Sequence, residues 1–226
     1  MRVVGVIPAA GWATRLNLSE GSKEMLAVSG RPVMDHLVER MQVLGPDSIR
    51  VVTRAAKLDV IEHSRDLGLD VMLAETRSAS HSIAVASEDL NPDDLVLIGF
   101  PDSIWEPFNG FKILLDHLTP ELAVILGLFG WSEAERGDVV SVDSWGIVRE
   151  IVAKPAAPRS NTIWACAVAV AAALDGIQGF EYPGQHFAAL CRDGIVGGVH
   201  LSDRYIDVGT LEGLAAARAT TSWDQA

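Results

Sequence analysis

Apolar and polar positions alternate between two periods along the chain. A β-branched run, Val3-Val4-Gly5-Val6-Ile7, closes at Pro8 and predicts a buried strand over Val3–Pro8. Val33, Met34, Leu37, Val38, Met41 and Leu44 recur at helical spacing, so 32–44 is predicted as an amphipathic helix. Pro32 is tolerated at its start, and Gly45-Pro46-Asp47 stops it. Strands are predicted at 49–53, Asp70–Leu73 and 95–98, with helices at 55–67 and 80–90 between them. Strands and helices alternating at this pitch imply an α/β protein with a mostly parallel sheet and right-handed crossovers.

The second half has a different texture. A helix is expected at 108–118, an apolar strand at 122–128, and a hairpin pairing Asp138–Val142 with 146–153 around Asp143-Ser144-Trp145. An apolar run at 164–170, a short helix at 171–177 and a helix at 182–192 follow. Then come a strand at Val196–Ser202, an extended piece at 205–208 and a closing helix at 210–221, with Thr210 as its N-cap. One domain over 1–226 is expected, with a gradual boundary near residue 130 between two halves, 1–130 and 131–226.

The 226 residues are 49% hydrophobic, enough for one substantial core. No apolar run approaches the roughly 18 residues of a membrane span, and the first residues do not read as a signal peptide. Cys166 and Cys191 form neither a disulfide framework nor a metal-ligand spacing, so a reduced, cytoplasmic setting is expected. The net charge of −12 argues against nucleic acid as a partner. It leaves room for a small anion, because a few local cations outweigh the global field at short range.

Three places carry candidate chemistry. Ligands of open α/β sheets bind at the carboxyl ends of strands. The turn Ala9-Ala10-Gly11 follows the first strand, and its small residues let a ligand approach the backbone. Arg15 and Lys23 come next, cations suited to phosphate. Asp102 lies just past the strand at 95–98, and Asp207 in Tyr205-Ile206-Asp207-Val208-Gly209-Thr210. Two such carboxylates with substrate phosphates are a fitting donor set for Mg²⁺. Lys154, before Pro155, could face the same crevice. Singly, each residue has an ordinary explanation as a turn former, a surface cation or a cap; their ordered combination points to a polyphosphate. The turn is neither a Walker loop nor the Gly-x-Gly-x-x-Gly fingerprint.

The ordered blocks resemble a known family. Ile7-Pro8-Ala9-Ala10-Gly11-Trp12-Ala13-Thr14-Arg15-Leu16 with Lys23-Glu24-Met25-Leu26 is similar to the signature of sugar-1-phosphate nucleotidyltransferases. Phe100-Pro101-Asp102, the stretch from Gly146 to Lys154-Pro155, and Asp207-Val208-Gly209-Thr210 resemble the family's later elements, in its order. Lys23-Glu24-Met25-Leu26, Pro101-Asp102 and Ser78-Ala79-Ser80-His81-Ser82-Ile83 look most like the UTP–glucose-1-phosphate uridylyltransferases, with thymidylyltransferases next.

The resemblance implies a Rossmann-like three-layer αβα sandwich with a mixed, mostly parallel central sheet. It implies transfer of a nucleotidyl group from UTP or dTTP to a sugar 1-phosphate, with pyrophosphate leaving. Asp102 and Asp207 would hold Mg²⁺, Arg15 the pyrophosphate, Lys23 phosphate near the reacting centre, and Lys154 the sugar phosphate. Ala9, Ala10, Gly11 and Thr14 would bind nucleotide, with Ser80 and His81 along its base or ribose. No membrane partner is implied, and a homo-oligomer is left open.

The chain also departs from the pattern. Ala13 stands where the loop usually has glycine, Ser78 and Ser80 replace glycines, and Ala153 replaces the Glu before Lys154-Pro155. Ser78 and Ser80 leave the base open and Ala153 the sugar, while Ala13 and Ala153 motivate an alternative, a non-catalytic nucleotide- or sugar-phosphate-binding paralogue. A glycosyltransferase would want a strand-end Asp-x-Asp, whereas Asp93-Asp94 precedes its strand.

Overall fold

The N-terminal β-branched run folds as β1 (Val3–Pro8), whose side chains divide between the two faces of a sheet: Val4 and Val6 join one apolar cluster and Ile7 the other. The computed structural model describes residues 1–12, 21–220 and 223. The next elements are β2 (Ala27–Val28), β3 (Arg31–Pro32), α1 (Val33–Gln42), β4 (Ser48–Thr53), α2 (Leu58–Asp66), β5 (Asp70–Leu73) and α3 (Ala79–Ser87). They are followed by β6 (Leu95–Gly99), β7 (Ser103–Trp105), α4 (Gly110–Asp116), β8 (Val124–Gly130), β9 (Asp138–Val142) and β10 (Val148–Ala153). The chain continues with β11 (Thr162–Val170), α5 (Pro183–Leu190), β12 (Val196–Ser202), β13 (Tyr205–Asp207) and α6 (Leu211–Ala219). The predicted helix at 171–177 is instead two 3-10 turns, Ala171–Leu174 and Ile177–Gly179, separated by the left-handed Gly176.

The main sheet runs β10-β9-β11-β6-β1-β4-β5, with β8 also on β11 and β12 on β8. β1 is parallel to β4 and β6, β4 to β5, and β12 to β8. β11 is antiparallel to β6, β8 and β9, and β10 to β9. All strands of this sheet but β10 and β11 therefore run the same way, giving the mixed, mostly parallel sheet. Met34, Leu37, Val60, Phe111 and Leu114 of α1, α2 and α4 pack in one cluster; Ile83, Ala86 and Phe187 of α3 and α5 pack in the other. Helices thus cover both faces. Gly99 ends β6 against α1, where a Cβ would lie 2.4 Å from Leu37 Cδ1.

Two features of the topology build a crevice past the carboxyl end of β6. β11 pairs with β6 over Cys166–Val170, and its earlier residue Ile163 pairs with Val139 of β9. The β9–β10 hairpin therefore takes up the space beyond the end of β6. β13 pairs antiparallel with β7, matching Asp207 to Ser103. The buried Arg40 of α1 supports that ribbon by donating to the Trp105 carbonyl at 2.8 Å and the Trp223 carbonyl at 3.1 Å.

The turn after β1 is held from below. Lys57 Nζ donates to the carbonyls of Ala9 (2.7 Å) and Gly11 (3.1 Å) and to the Glu24 carboxylate (2.6 Å). Arg54 Nε donates to the Ala10 carbonyl at 2.6 Å. Glu24 is fully buried and Lys57 nearly so. Burial pushes the Glu24 carboxyl up despite Lys57 and Lys23, and pulls the Lys57 ammonium down despite Glu24. One buried pair thus fixes the turn, and both partners pay desolvation for it.

At the opposite end of the sheet, Asp94 accepts from the Arg2 amide (2.7 Å), Arg2 Nε (3.0 Å) and the Asn91 amide (3.0 Å). The Arg2 amide bond outweighs burial and, with the other donors, holds this carboxyl at about 2.

Removing Lys57 strands a buried carboxylate and two carbonyls. Lys57→Met is expected to lower unfolding free energy by roughly 3 kcal/mol in denaturant titration; a loss within experimental error would contradict the clamp. Because the Asp94 value is depressed on folding, its stabilisation is full above the ordinary carboxylate range and fades as pH falls toward 2. Asp94→Asn should melt below the parent at pH 7, with the gap closing near pH 2. A gap independent of pH would refute this role.

Candidate active site

A cavity of about 640 Å³ opens beyond β6, between the turn after β1, the start of α3, the β9–β10 hairpin and the start of α5. Among the described residues it is lined by the cations Lys23, Arg54, Arg77, Arg136 and Lys154 and the acids Asp102, Asp138, Glu181 and Asp207. In a chain of strong net negative charge, cations thus slightly outnumber acids along this wall, where an anion would sit.

The two strand-end aspartates meet through the β7–β13 ribbon. Asp207 pairs with Ser103, and the Val208 amide donates to the Asp102 carbonyl at 2.8 Å. Asp207 Oδ1 accepts from the Gly209 amide at 2.8 Å, which orients the carboxylate as in an Asx turn. Thr210 caps α6 immediately afterwards, accepting from Gly213 N at 3.0 Å. Lys23, in the 3-10 turn Lys23–Met25, forms an ion pair with Asp102. Burial pulls its ammonium down, but Asp102, Glu24 and Asp207 outweigh this and hold it above the usual lysine value. The carboxylate pair therefore already attracts a cation.

Lys154 follows β10 with a left-handed backbone (φ 45°), a conformation costing a non-glycine residue on the order of 1 kcal/mol. Its amide donates to the Gly137 carbonyl at 3.0 Å, and Nζ lies 3.6 Å from the centroid of the Tyr182 ring. The strain is held at the cavity wall, where such outliers tend to be functional.

Several expected positions move. Ala9 is buried and does not line the cavity; its amide donates to Val52 and its carbonyl serves Lys57. Ala10 and Gly11 do line it. Their carbonyls are taken by Arg54 and Lys57, so the amides are the backbone groups this turn can offer an anion. Ser80 and His81 do not line it either. Ser78 is the N-cap of α3, its Oγ accepting from the His81 amide at 3.1 Å. With that phase Ser78, Ala79 and Ser82 face the cavity, Ser80 is fully buried, and His81 borders a separate cavity of about 400 Å³. Thr14 and Arg15 lie outside the described residues.

The lining residues not anticipated from sequence include Arg54, Trp12, Arg136 and Asp138. The Arg54 guanidinium sits 5.4 Å from the Trp12 ring centroid, capping the turn. Arg136 pairs with Glu133; burial lowers it, while Glu133 and then Asp207 hold it up. Burial raises Asp138 despite a hydrogen bond from Trp164 and the nearby Lys154 charge.

Among the described residues no group of three or more His, Cys, Asp or Glu side chains is placed to hold a metal. Asp102 and Asp207 nevertheless fit Mg²⁺, which takes one or two carboxylates and completes its shell with water and substrate phosphate. Also among the described residues, no helix is long and apolar enough to cross a membrane.

The fold is similar to a crystal structure from Bacillus anthracis assigned as a glucose-1-phosphate thymidylyltransferase and solved in complex with a sucrose. The TM-score is 0.83 at 16% identity, covering 96% of this chain and 94% of that one. In sequence, the chain is 27% identical over 166 residues to the UTP–glucose-1-phosphate uridylyltransferase AglF of Haloferax volcanii, spanning 70% of this chain and 68% of AglF. The family model of the MobA-like NTP transferase domain matches residues 5–153, from β1 through the last residue of β10. The turn after β1, the β6-end aspartate and the hairpin reaching Ala153 all fall within that match, and the chain belongs to the MobA-like NTP transferase domain family: it is a nucleotidyltransferase.

Proposed function

We propose that the cavity joins a nucleoside triphosphate, UTP or dTTP, to a sugar 1-phosphate, giving a nucleoside-diphosphate sugar and pyrophosphate. The observation that carries this reading is the meeting of Asp102, Asp207 and Lys23 at the end of β6, in the same cavity as Lys154. The curated relative, by its name, uses UTP and glucose 1-phosphate, which makes that pair the first to test.

In this reaction a phosphate oxygen of the sugar 1-phosphate attacks the α-phosphorus, a new P–O bond forms, and the α–β bond breaks with its electrons leaving on pyrophosphate. No protein nucleophile is required; the protein positions two anions and neutralises charge. Mg²⁺, held by Asp102 and Asp207, would supply charge neutralisation and orientation of the phosphate oxygens. Lys23 brings a positive charge to the reacting end, released from Asp102 or shared with it. Lys154 binds the sugar phosphate, its position fixed by its strained backbone and by Tyr182. The nucleotide lies along Ala10, Gly11, Trp12, Ser78, Ala79 and Ser82, and the family resemblance assigns the leaving pyrophosphate to Arg15.

Pyrophosphate release is the direct assay. UTP or dTTP with glucose 1-phosphate or another sugar 1-phosphate should turn over only with a divalent cation present, and folded protein inactive on every pair would overturn the proposal. Asp102→Asn should lose on the order of 100-fold or more in kcat. Unchanged rates at saturating Mg²⁺ would remove Asp102 from the metal site.

A further inference from the structure

One half-buried acid in the cavity has no part in that mechanism. Asp138 opens β9 and pairs in register with Ala153, the residue before Lys154. Trp164 Nε1 donates to its Oδ2 at 3.3 Å. The first turn of α5 closes onto the same oxygen: a Cβ at Gly184 would stand 2.0 Å from Oδ2, so only glycine admits this approach. A carboxylate beside a helix start has an ordinary structural use. Here Trp164 and the amides of Gly184 and Lys154 supply three donors, and a carboxylate, with about four acceptor sites, keeps room for one more at the cavity wall. Around it the wall is aromatic, with Trp131, Trp164, Tyr182 and Tyr205. Flat apolar faces beside one anchored acceptor suit a sugar ring, which presents C–H faces and hydroxyl edges.

We propose that Asp138 is the specificity-determining residue of the sugar subsite, accepting a hydrogen bond from a hydroxyl of the sugar whose phosphate is held by Lys154, and excluding sugars with a carboxylate at that edge. The proposal rests on the reading of Lys154 as the sugar-phosphate ligand. The register sets Asp138 opposite Ala153, one residue before Lys154, and the Lys154 charge bears on the Asp138 carboxyl, so the two sit close enough for a 1-phosphate and its own ring. An acceptor without a donor of its own rewards a hydroxyl or amine and repels an anion. The ligand class is therefore a neutral or amino sugar 1-phosphate, and a uronic acid 1-phosphate is disfavoured.

Calorimetry on the full chain tests this without turnover, titrating glucose 1-phosphate, glucuronic acid 1-phosphate and inorganic phosphate, with and without Mg²⁺ and a non-hydrolysable UTP analogue. The parent should bind glucose 1-phosphate at least about ten-fold more tightly than the uronate. Asp138→Asn, an isosteric change, should bring that ratio toward one and leave inorganic phosphate unaffected. Glu181→Gln, at an exposed acid of the same cavity, should keep the parental ratio. An equal affinity of the parent for both sugars, or no binding of either, overturns the proposal even if Asp138→Asn fails to fold. A ratio unmoved by Asp138→Asn also overturns it. Sugar discrimination that follows Asp138 in a protein releasing no pyrophosphate would instead overturn the proposed function and leave this assignment standing.

Discussion

The site depends on one short antiparallel pairing, β7 with β13. Three residues on each side join parts of the chain about a hundred positions apart. Without that ribbon Asp102 and Asp207 are two unrelated turn residues. With it they share one crevice, and two like charges brought together need a cation between or beside them. Lys23 answers that need, and its ammonium is held above its ordinary value by the acids around it. Arg40 reaches from α1 to the Trp105 carbonyl, so the helix packed on the end of β6 also fixes the ribbon. The electrostatics of the centre thus follow from backbone pairing and one buried arginine.

A second constraint acts on the turn after β1. A turn of small residues has little side-chain packing of its own, and its shape must come from what lies beneath it. Lys57, itself held by Glu24, and Arg54 supply this by donating to the carbonyls of Ala9, Ala10 and Gly11. Glu24 adjoins Lys23 in sequence, so one 3-10 turn supports the loop with one side chain and meets Asp102 with the next. Nucleotide wall and metal cradle are mechanically joined through these two residues.

The pattern of apolar positions made most of the fold legible. β1, β5, β9 and β12 run over the predicted residues, and Thr210 caps its helix as expected. Strand-end logic located Asp102 and Asp207, because a β-strand ending in a loop is readable locally. Helix phase was less readable. Taking Ser80 and His81 as the facing residues ignored Ser78 as N-cap, which rotates Ser78, Ala79 and Ser82 toward the cavity. Lys57 and Asp138 carried no local signal. Lys57 resembles any surface cation until Ala9, Gly11 and Glu24 surround it, and Asp138 begins an ordinary hairpin strand until Trp164 and Gly184 close on it. Both roles arise from long-range contacts that periodicity does not encode.

The central claim is that the β7–β13 ribbon makes a two-carboxylate cradle completed by a triphosphate. Mn²⁺ binding followed by electron paramagnetic resonance, with and without UTP or dTTP, tests it most directly. The account predicts tight Mn²⁺ binding only with nucleotide present, weakened separately by Asp102→Asn and by Asp207→Asn in variants that keep the parental melting profile. Nucleotide-dependent Mn²⁺ binding of parental strength in both variants would contradict it.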